Sequence, residues 1–458
     1  MTTALTSFRR PIFQALLWLG LLTGAAPHLR AVDHHFDAQV GDDQRGDGSI
    51  GQPWRSLERV GRLTLNPGDR VLLRAGGVWT DQSLDLAVSG TAEKPIVVRR
   101  YGEGADPVID FGNTSNPRGE AWGVRLRNCS YIEIDHLAVT SGRFADSKLR
   151  NGIWVLAEGT SQTLRHIHLK NIKVYEVFGN SRRTGGINFH VRGQSADPES
   201  TFDDVLIDGC TVDNVADTGI QLMTDALLGP TTWKHQYDAF TGVVIRRCRV
   251  INVNRDGILV RASPRALLEH NVVGDAGYLR GDLRAMPYIP PVEVIAALWP
   301  YYCDGVLMRF NEAYGTRLLK ADGQAWDFDV GVTNSVYEYN YSHDNEGGVL
   351  LVMHQTSNNI FRHNISVNDR GPLMDIQGDG TQVYDNTFYR GPGIAPKDSF
   401  SGRMRFGPRA ISYRRNTFVN LSGAPYFNSP SALFEGNTFA GLHPESEPAD
   451  ASKTKVGL

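Results

Sequence analysis

The sequence has little of what would mark a helical or a nucleic-acid-binding protein. No long amphipathic helix can be drawn along it. Its 47 lysines and arginines are outnumbered by 50 aspartates and glutamates, giving a formal charge of −3. That balance excludes the basic face that phosphate binding needs. Cysteine is sparse as well: Cys129, Cys210, Cys248 and Cys303 are the four in 458 residues. They are too few for a disulfide framework and lack the close pairs of a zinc site. His190, His343, His354 and His363 show no metal-ligand spacing either, so no metal is expected.

Long apolar runs are confined to the N-terminus. Arg9 and Arg10 precede an apolar stretch over residues 12–22, and Gly24, Ala25 and Ala26 follow. This is the pattern of an export signal, and the stretch is short for a membrane span. Cleavage is expected after Ala31, although Leu29 at the third position back is larger than such sites prefer. The alternative is an uncleaved anchor. On the first reading residues 1–31 are removed and the mature protein is secreted or periplasmic, monomeric and free of membrane.

What is abundant is glycine, 48 residues of it, together with Asn and Asp. These tolerate left-handed backbone and point to a turn-rich β protein. A short phrase also recurs: HIHLKNIKV, DVLIDGCTV, GVVIRRCRV, VYEYNYS, IFRHNIS, QVYDNTF and LFEGNTF are examples. Its fixed position is held by Asn171, Cys210, Cys248, Asn271, Asn311, Asn340, Asn364, Asn386, Asn416 and Asn437. The shortest intervals are 21–24 residues, and the longer ones read as the same unit plus an insertion. Short strands at this period mark a solenoid whose turns stack to bury their apolar faces. Asn at one recurring turn can bond to its equivalents above and below. Cys210 and Cys248 either join that ladder as small buried thiols or pair, since adjacent strands lie within disulfide reach.

A second set of strands falls between the phrases: GGINFHV, TGIQLMT, DGILVRA, AALWPYY, QAWDFDV, GGVLLVM and GPLMDIQ. Together the two sets predict a single-domain, all-β, right-handed parallel β-helix of about 10–12 coils, roughly 50 Å long. Over residues 33–440 the chain resembles the pectate-lyase-like superfamily of such helices. The resemblance makes residues 32–75 an N-terminal cap and first coil, with a short helix near 56–63. Residues 76–442 are then the β-helix and 443–458 a flexible tail.

The stretch ADGQAWDFDVGVTNSVYEYNYSHDNEGG, residues 321–348, gathers Asp322, Asp327, Asp329, Asp344 and Glu346. Strand alternation sends Trp326 and Phe328 into the core and Asp327 and Asp329 outward. The same outward face carries Trp299 and Tyr301, then Leu259 and Arg261, Gln221 and Met223, Asn188 and His190. On the other side it carries Leu350 and Val352, with His354 beyond. Aromatic residues beside paired carboxylates suit a sugar cleft. The insertions at 224–240 and 277–294 bring Trp233, His235, Tyr237, Tyr278 and Tyr288, placed to wall a groove.

Paired carboxylates serve glycoside hydrolysis. From ALWPYYCDG through DGQAWDFD to YNYSHDNEGG the chain also resembles the β-helical glycoside hydrolase families 120 and 141. That resemblance implies Asp327 as nucleophile or base and Glu346 as acid, with Asp304 and Asp329 as alternates or hydroxyl ligands. Trp299, Tyr301, Arg261, His190, Gln221, His354, Trp233 and Tyr237 are the expected substrate-binding residues. The substrate is a polysaccharide or oligosaccharide, and no cofactor is expected. Two other readings stand beside this one. A polysaccharide lyase would take its base from Lys320, Arg317 or Arg261 and hold calcium on Asp322, Asp327 and Asp329. A non-catalytic carbohydrate-binding or adhesin helix is the third.

Overall fold

The computed structural model describes residues 30–142, 149–181, 183–193, 200–225, 238–278, 292–394, 403–404, 411–426 and 432–457. Residues Ala31–Leu458 form one body. Apart from the 3-10 turn Leu57–Arg62, its described elements are strands, and every strand pairing is parallel. The chain winds through three ladders of stacked strands, which makes it a parallel β-helix. Two ladders are joined through the long strands Ile132–Thr140 and Thr163–Val177. The third is a separate sheet of eleven strands, running from Leu84–Leu86 to Arg403–Met404 in strict sequence order.

Short alternating strands produce this winding. Ile360–Arg362 buries only Phe361, and Tyr341–His343 only Ser342, so each strand offers one side chain to the core. The eleven-stranded sheet behaves differently. Thr218–Thr224 and Gly348–Val352 are buried along their whole length, so both faces of these two strands are withdrawn from water. Its inner face also carries a stripe of Gly123, Gly152, Gly186, Gly219 and Gly257. A Cβ at any of these would stand 2.1–2.5 Å from a γ-methyl of Val139, Val174, Val212, Val250 or Val273. Glycine is required there because the facing ladder comes that close.

The recurring turn is held as the sequence implied. From Asn271 through Asn311, Asn340, Asn364, Asn386 and Asn416 to Asn437, each Nδ2 donates to the next Oδ1 at 3.0–3.1 Å. Cys210 and Cys248 are buried free thiols in the same column, and their pairing is not formed. Asn171 departs from the ladder. It is exposed and donates to Asp135, while the buried Ile172 takes the rung, because the left-handed Asn171 stands level with Gly209.

Residues 443–457 are a correction to the expected flexible tail. Thr454–Val456 pairs in parallel with Thr438–Gly441. The carboxylate of Asp450 accepts both the N–H and the Nδ2 of Asn437, at 2.9 and 3.0 Å, ending the Asn ladder. Glu447 receives His443, Lys453 and Lys455. An acid at the end of a column of amides satisfies donors that would otherwise be orphaned. Residues 1–29, where the export signal falls, lie outside the described residues.

Candidate active site

Register fixes which side chains share the outer face of the eleven-stranded sheet. Ile220, Ile258, Leu298, Trp326, Leu350 and Met374 form one inward row, and Leu222, Val260, Pro300, Phe328, Val352 and Ile376 the next. Between them runs an outward row: Asn188, Gln221, Leu259, Trp299, Asp327, Leu351 and Asp375. Trp326 and Phe328 are fully buried, as alternation required. Leu350 and Val352 are a correction, since they too point inward and Leu351 is the outward residue. Val349 and Leu350 both face the core, so the alternation breaks inside that strand, as it does at Ala325 and Trp326 on the coil before.

The strand Ala321–Phe328 is irregular at its start. Its pairing with Val294–Tyr301 shifts register between Ile295 and Ala296, so that Ile295 faces Asp322 while Ala296 faces Gln324. Gly323 is the extra residue, and Asp322 adopts φ 66°. A bulge of this kind re-aims the side chain that precedes it. Asp322 and Asp329 are half-buried, whereas Asp327 between them is only 4% exposed.

Six aspartates face two arginines here. Burial, then the charges of Asp329, Asp322, Asp256 and Asp375, push the Asp327 carboxyl well above the usual range. Burial also drives Asp329 up to about 7, with Asp322 and Asp256 adding to it and the Val330 N–H and Arg261 opposing. Asp256, buried and raised, accepts the Ala296 N–H at 3.1 Å and pairs with Arg255 at 3.2 Å. Arg255 is held charged by Asp256, Asp217, Asp322 and Asp329. Crowded acids in a low dielectric cannot all ionise, which is how sites retain a proton at neutral pH.

Several buried polar atoms on this face have no protein partner: Gln221 Nε2, Arg261 Nε, Gln324 Oε1 and Asp327 Oδ1. Donors and acceptors stranded together on adjacent strands suit a ligand rich in hydroxyls. The Arg261 guanidinium lies 5.4 Å from the centre of the Tyr301 ring, and Tyr301 meets Trp299 edge-on at 6.3 Å. These three groups therefore form one wall beside the acids.

The other expected site residues lie further off. Glu346 sits in the turn before Gly348–Val352 and accepts the Leu318 N–H at 2.8 Å, while its neighbour Gly347 presses on the backbone of Asp322. Asp304 lies in the turn after Val294–Tyr301, where Thr333 Oγ1 (2.7 Å) and Asn334 Nδ2 (2.5 Å) both donate to it. The structure does not bring it to the other acids. His190 is fully buried, pairs with Asp225 at 3.1 Å and lies four strands from Asp327. His354 is an exposed turn residue. Trp233, His235, Tyr237 and Tyr288 lie outside the described residues. Arg255, Asp256 and Gln324 were not read as site residues, and Asp322 only as a calcium ligand of the lyase alternative. For Asp322 the signal was its step to Gly323, which marks a bulge inside a strand.

No family model matches the chain. It is 28% identical to a lacto-N-biosidase of Bifidobacterium longum subsp. longum over 85% of its own length and 29% of that protein's. The chain thus spans less than a third of that relative. Two crystal structures of a GH136 lacto-N-biosidase from Eubacterium ramulus superpose with TM-scores of 0.70 and 0.68, at 27% and 26% identity. They cover 84% and 88% of this chain and 67% and 68% of theirs. A complex of XylC with xylose (TM-score 0.52, 10% identity) covers 93% of this chain and 86% of its own, and shares the fold alone.

Proposed function

We propose that this chain is a glycoside hydrolase that cleaves an oligosaccharide, with Asp322 and Asp329 as its working carboxylate pair. The observation that carries this reading is the crowding of Asp322, Asp327 and Asp329 on and just beyond one strand, where Asp329 is driven up to about 7. The half-buried members reach substrate, and their charges push up the carboxyl of the buried Asp327 between them. One of the pair delivers a proton to the leaving oxygen, and the other faces the anomeric carbon or a water beside it. Arg261, Tyr301 and Trp299 flank the sugar, and Gln221 and Gln324 offer a donor and an acceptor to its hydroxyls.

Likeness to lacto-N-biosidases over most of the chain supports a lacto-N-bioside as the first substrate to try. The lyase reading has less behind it. Lys320, the lysine nearest the acids in sequence, is exposed and paired with Glu293 at 2.9 Å. We also infer export, because Arg9, Arg10 and the apolar run at 12–22 form a signal-like head. Among the described residues, no helix is long and apolar enough to cross a membrane. Sequencing the N-terminus of the protein from a culture's outer fraction tests this.

The decisive experiment offers the full chain lacto-N-biosides and a panel of plant, algal and bacterial glycans. New reducing ends and ultraviolet absorbance are read together. Reducing ends without an unsaturated product are expected, and Asp322→Asn or Asp329→Asn should lower turnover by about 10²–10⁴-fold. An unsaturated product, or undiminished cleavage by both variants, overturns the reading.

A further inference from the structure

On a different sheet, three coils bring together a cluster that hydrolysis does not use. Glu133 lies on Ile132–Thr140, His166 and His168 on Thr163–Val177, and Asp204 on Thr201–Asp208. Register sets His168 opposite Glu133. Pairing of Arg165 with Asp203 and of Ile167 with Val205 leaves His166 beside Asp204, and both adopt left-handed backbone (φ 57° and 61°). One ligand atom from each of Glu133, His166 and His168 lies within 4.8 Å of the others.

We propose that Glu133, His166 and His168 bind one divalent transition-metal ion, zinc being the best match. Two imidazoles and a carboxylate form the ligand set this ion prefers. Tetrahedral bonds of about 2.0–2.2 Å place ligand atoms about 3.3–3.6 Å apart, so the set closes by rotation of these partly exposed side chains. Asp204 holds both rings: its Oδ1 lies 2.9 Å from His168 Nε2, which leaves that ring's Nδ1 for a metal. Its Oδ2 lies 2.7 Å from His166 Nδ1, which leaves His166 Nε2 turned toward Glu133 Oε1 at 3.3 Å. A carboxylate on the far nitrogen of a ligating histidine fixes its tautomer and raises its basicity.

Charge agrees. Glu133 and Asp204 bring two negative charges, and Lys170, 2.8 Å from Glu133 Oε2, cancels one of them. The remaining negative charge sits beside the two imidazoles, which a divalent cation would occupy favourably. Bound there, the metal ties the coil of Glu133 to that of His166, and through Asp204 to the next. In a solenoid each coil leans on its neighbours, so this clip acts on the stacking itself. Glu133 comes from the preceding coil, 33–35 residues before the His166-Ile167-His168 step, so local spacing shows the two imidazoles but not the carboxylate that completes the set.

The test uses the untagged full chain, stripped with EDTA and titrated with zinc chloride. One zinc per chain is expected, with a dissociation constant of about 1 µM or tighter and a rise in Tm of about 3 °C at saturation. The His166→Ala/His168→Ala variant should lose the site. Asp204→Asn should weaken it by about 10–100-fold. Glu133→Gln, a single change at a partly exposed position, keeps the test usable if the double variant misfolds. Absence of saturable binding at about 100 µM zinc, or undiminished binding by both Glu133→Gln and the double variant, overturns the proposal. Glycan cleavage by these variants should stay at the wild-type rate, so this result and the hydrolase assay fail independently.

Discussion

At the scale of single residues, the site is a balance of buried charge. The folded chain holds protons on Asp327 and Asp329 that the unfolded chain releases above the ordinary value of 3.8. The folded state therefore binds more protons, and stability falls as pH rises from about 4 through about 7. Asp327→Asn removes a charge that burial opposes. It should raise the melting temperature at pH 8 but little at pH 4. A pH series of thermal melts checks this, and an equal effect at both ends would sink it. Arg261 acts in the opposite sense on Asp329, which it holds down. Arg261→Gln should move the Asp329 limb of the pH–kcat/KM profile to higher pH, measurable once a substrate is in hand.

At the scale of elements, two ladders set how closely the coils stack. The glycine stripe lets the facing ladder approach until a Cβ would collide with valine methyls, as at Gly257, where an added Cβ would stand 2.2 Å from Val273 Cγ1. Gly257→Ala should cost about 1–3 kcal/mol through overpacking, and pairing it with Val273→Ala should restore part of the loss. Chemical denaturation of the single and double variants reads this directly. The Asn ladder works through hydrogen bonds instead. Asn340 Nδ2 donates to Asn364 Oδ1 at 3.0 Å and to the carbonyl of Met308 at 3.1 Å. Asn340→Leu strands the N–H of Asn311, which donates to Asn340 Oδ1. A loss of about 1–3 kcal/mol is expected, with the site aspartates untouched. Full stability in this variant would mean the ladder is ornamental.

At the scale of the body formed by Ala31–Leu458, stability is a sum of coils, and its ends matter because each terminal coil lacks one neighbour. The last coil is closed by Asp450 and by the strand Thr454–Val456. Asp450→Ala, which removes the acceptor for two Asn437 donors, should loosen the final coils first. Amide exchange would show lost protection near Asn416 and Asn437 while Trp326 and its neighbours stay protected. Uniform loss along the chain would instead indicate a single cooperative unit.

Much of this molecule was legible in its residues. The recurring Asn position implied stacked coils, and strand alternation put Trp326 and Phe328 inside and Asp327 outside, because a two-residue period is a local property of the chain. What alternation could not carry along every strand was phase. It breaks between Val349 and Leu350, both of which face the core, and Leu351 rather than Leu350 shares the outer face with Asp327. Nor could it show the bulge at Gly323, whose cost and benefit depend on the neighbouring strand, and which brings Asp322 into the set. Asp304 looked equally acidic but was already committed to Thr333 and Asn334 in the next coil. Sequence alone determined the winding of this protein, since winding follows from repeats in the chain. Only tertiary structure decided which acids meet, since the bulge that turns Asp322 and the approach of Asp256 and Asp375 both depend on coils dozens of residues away.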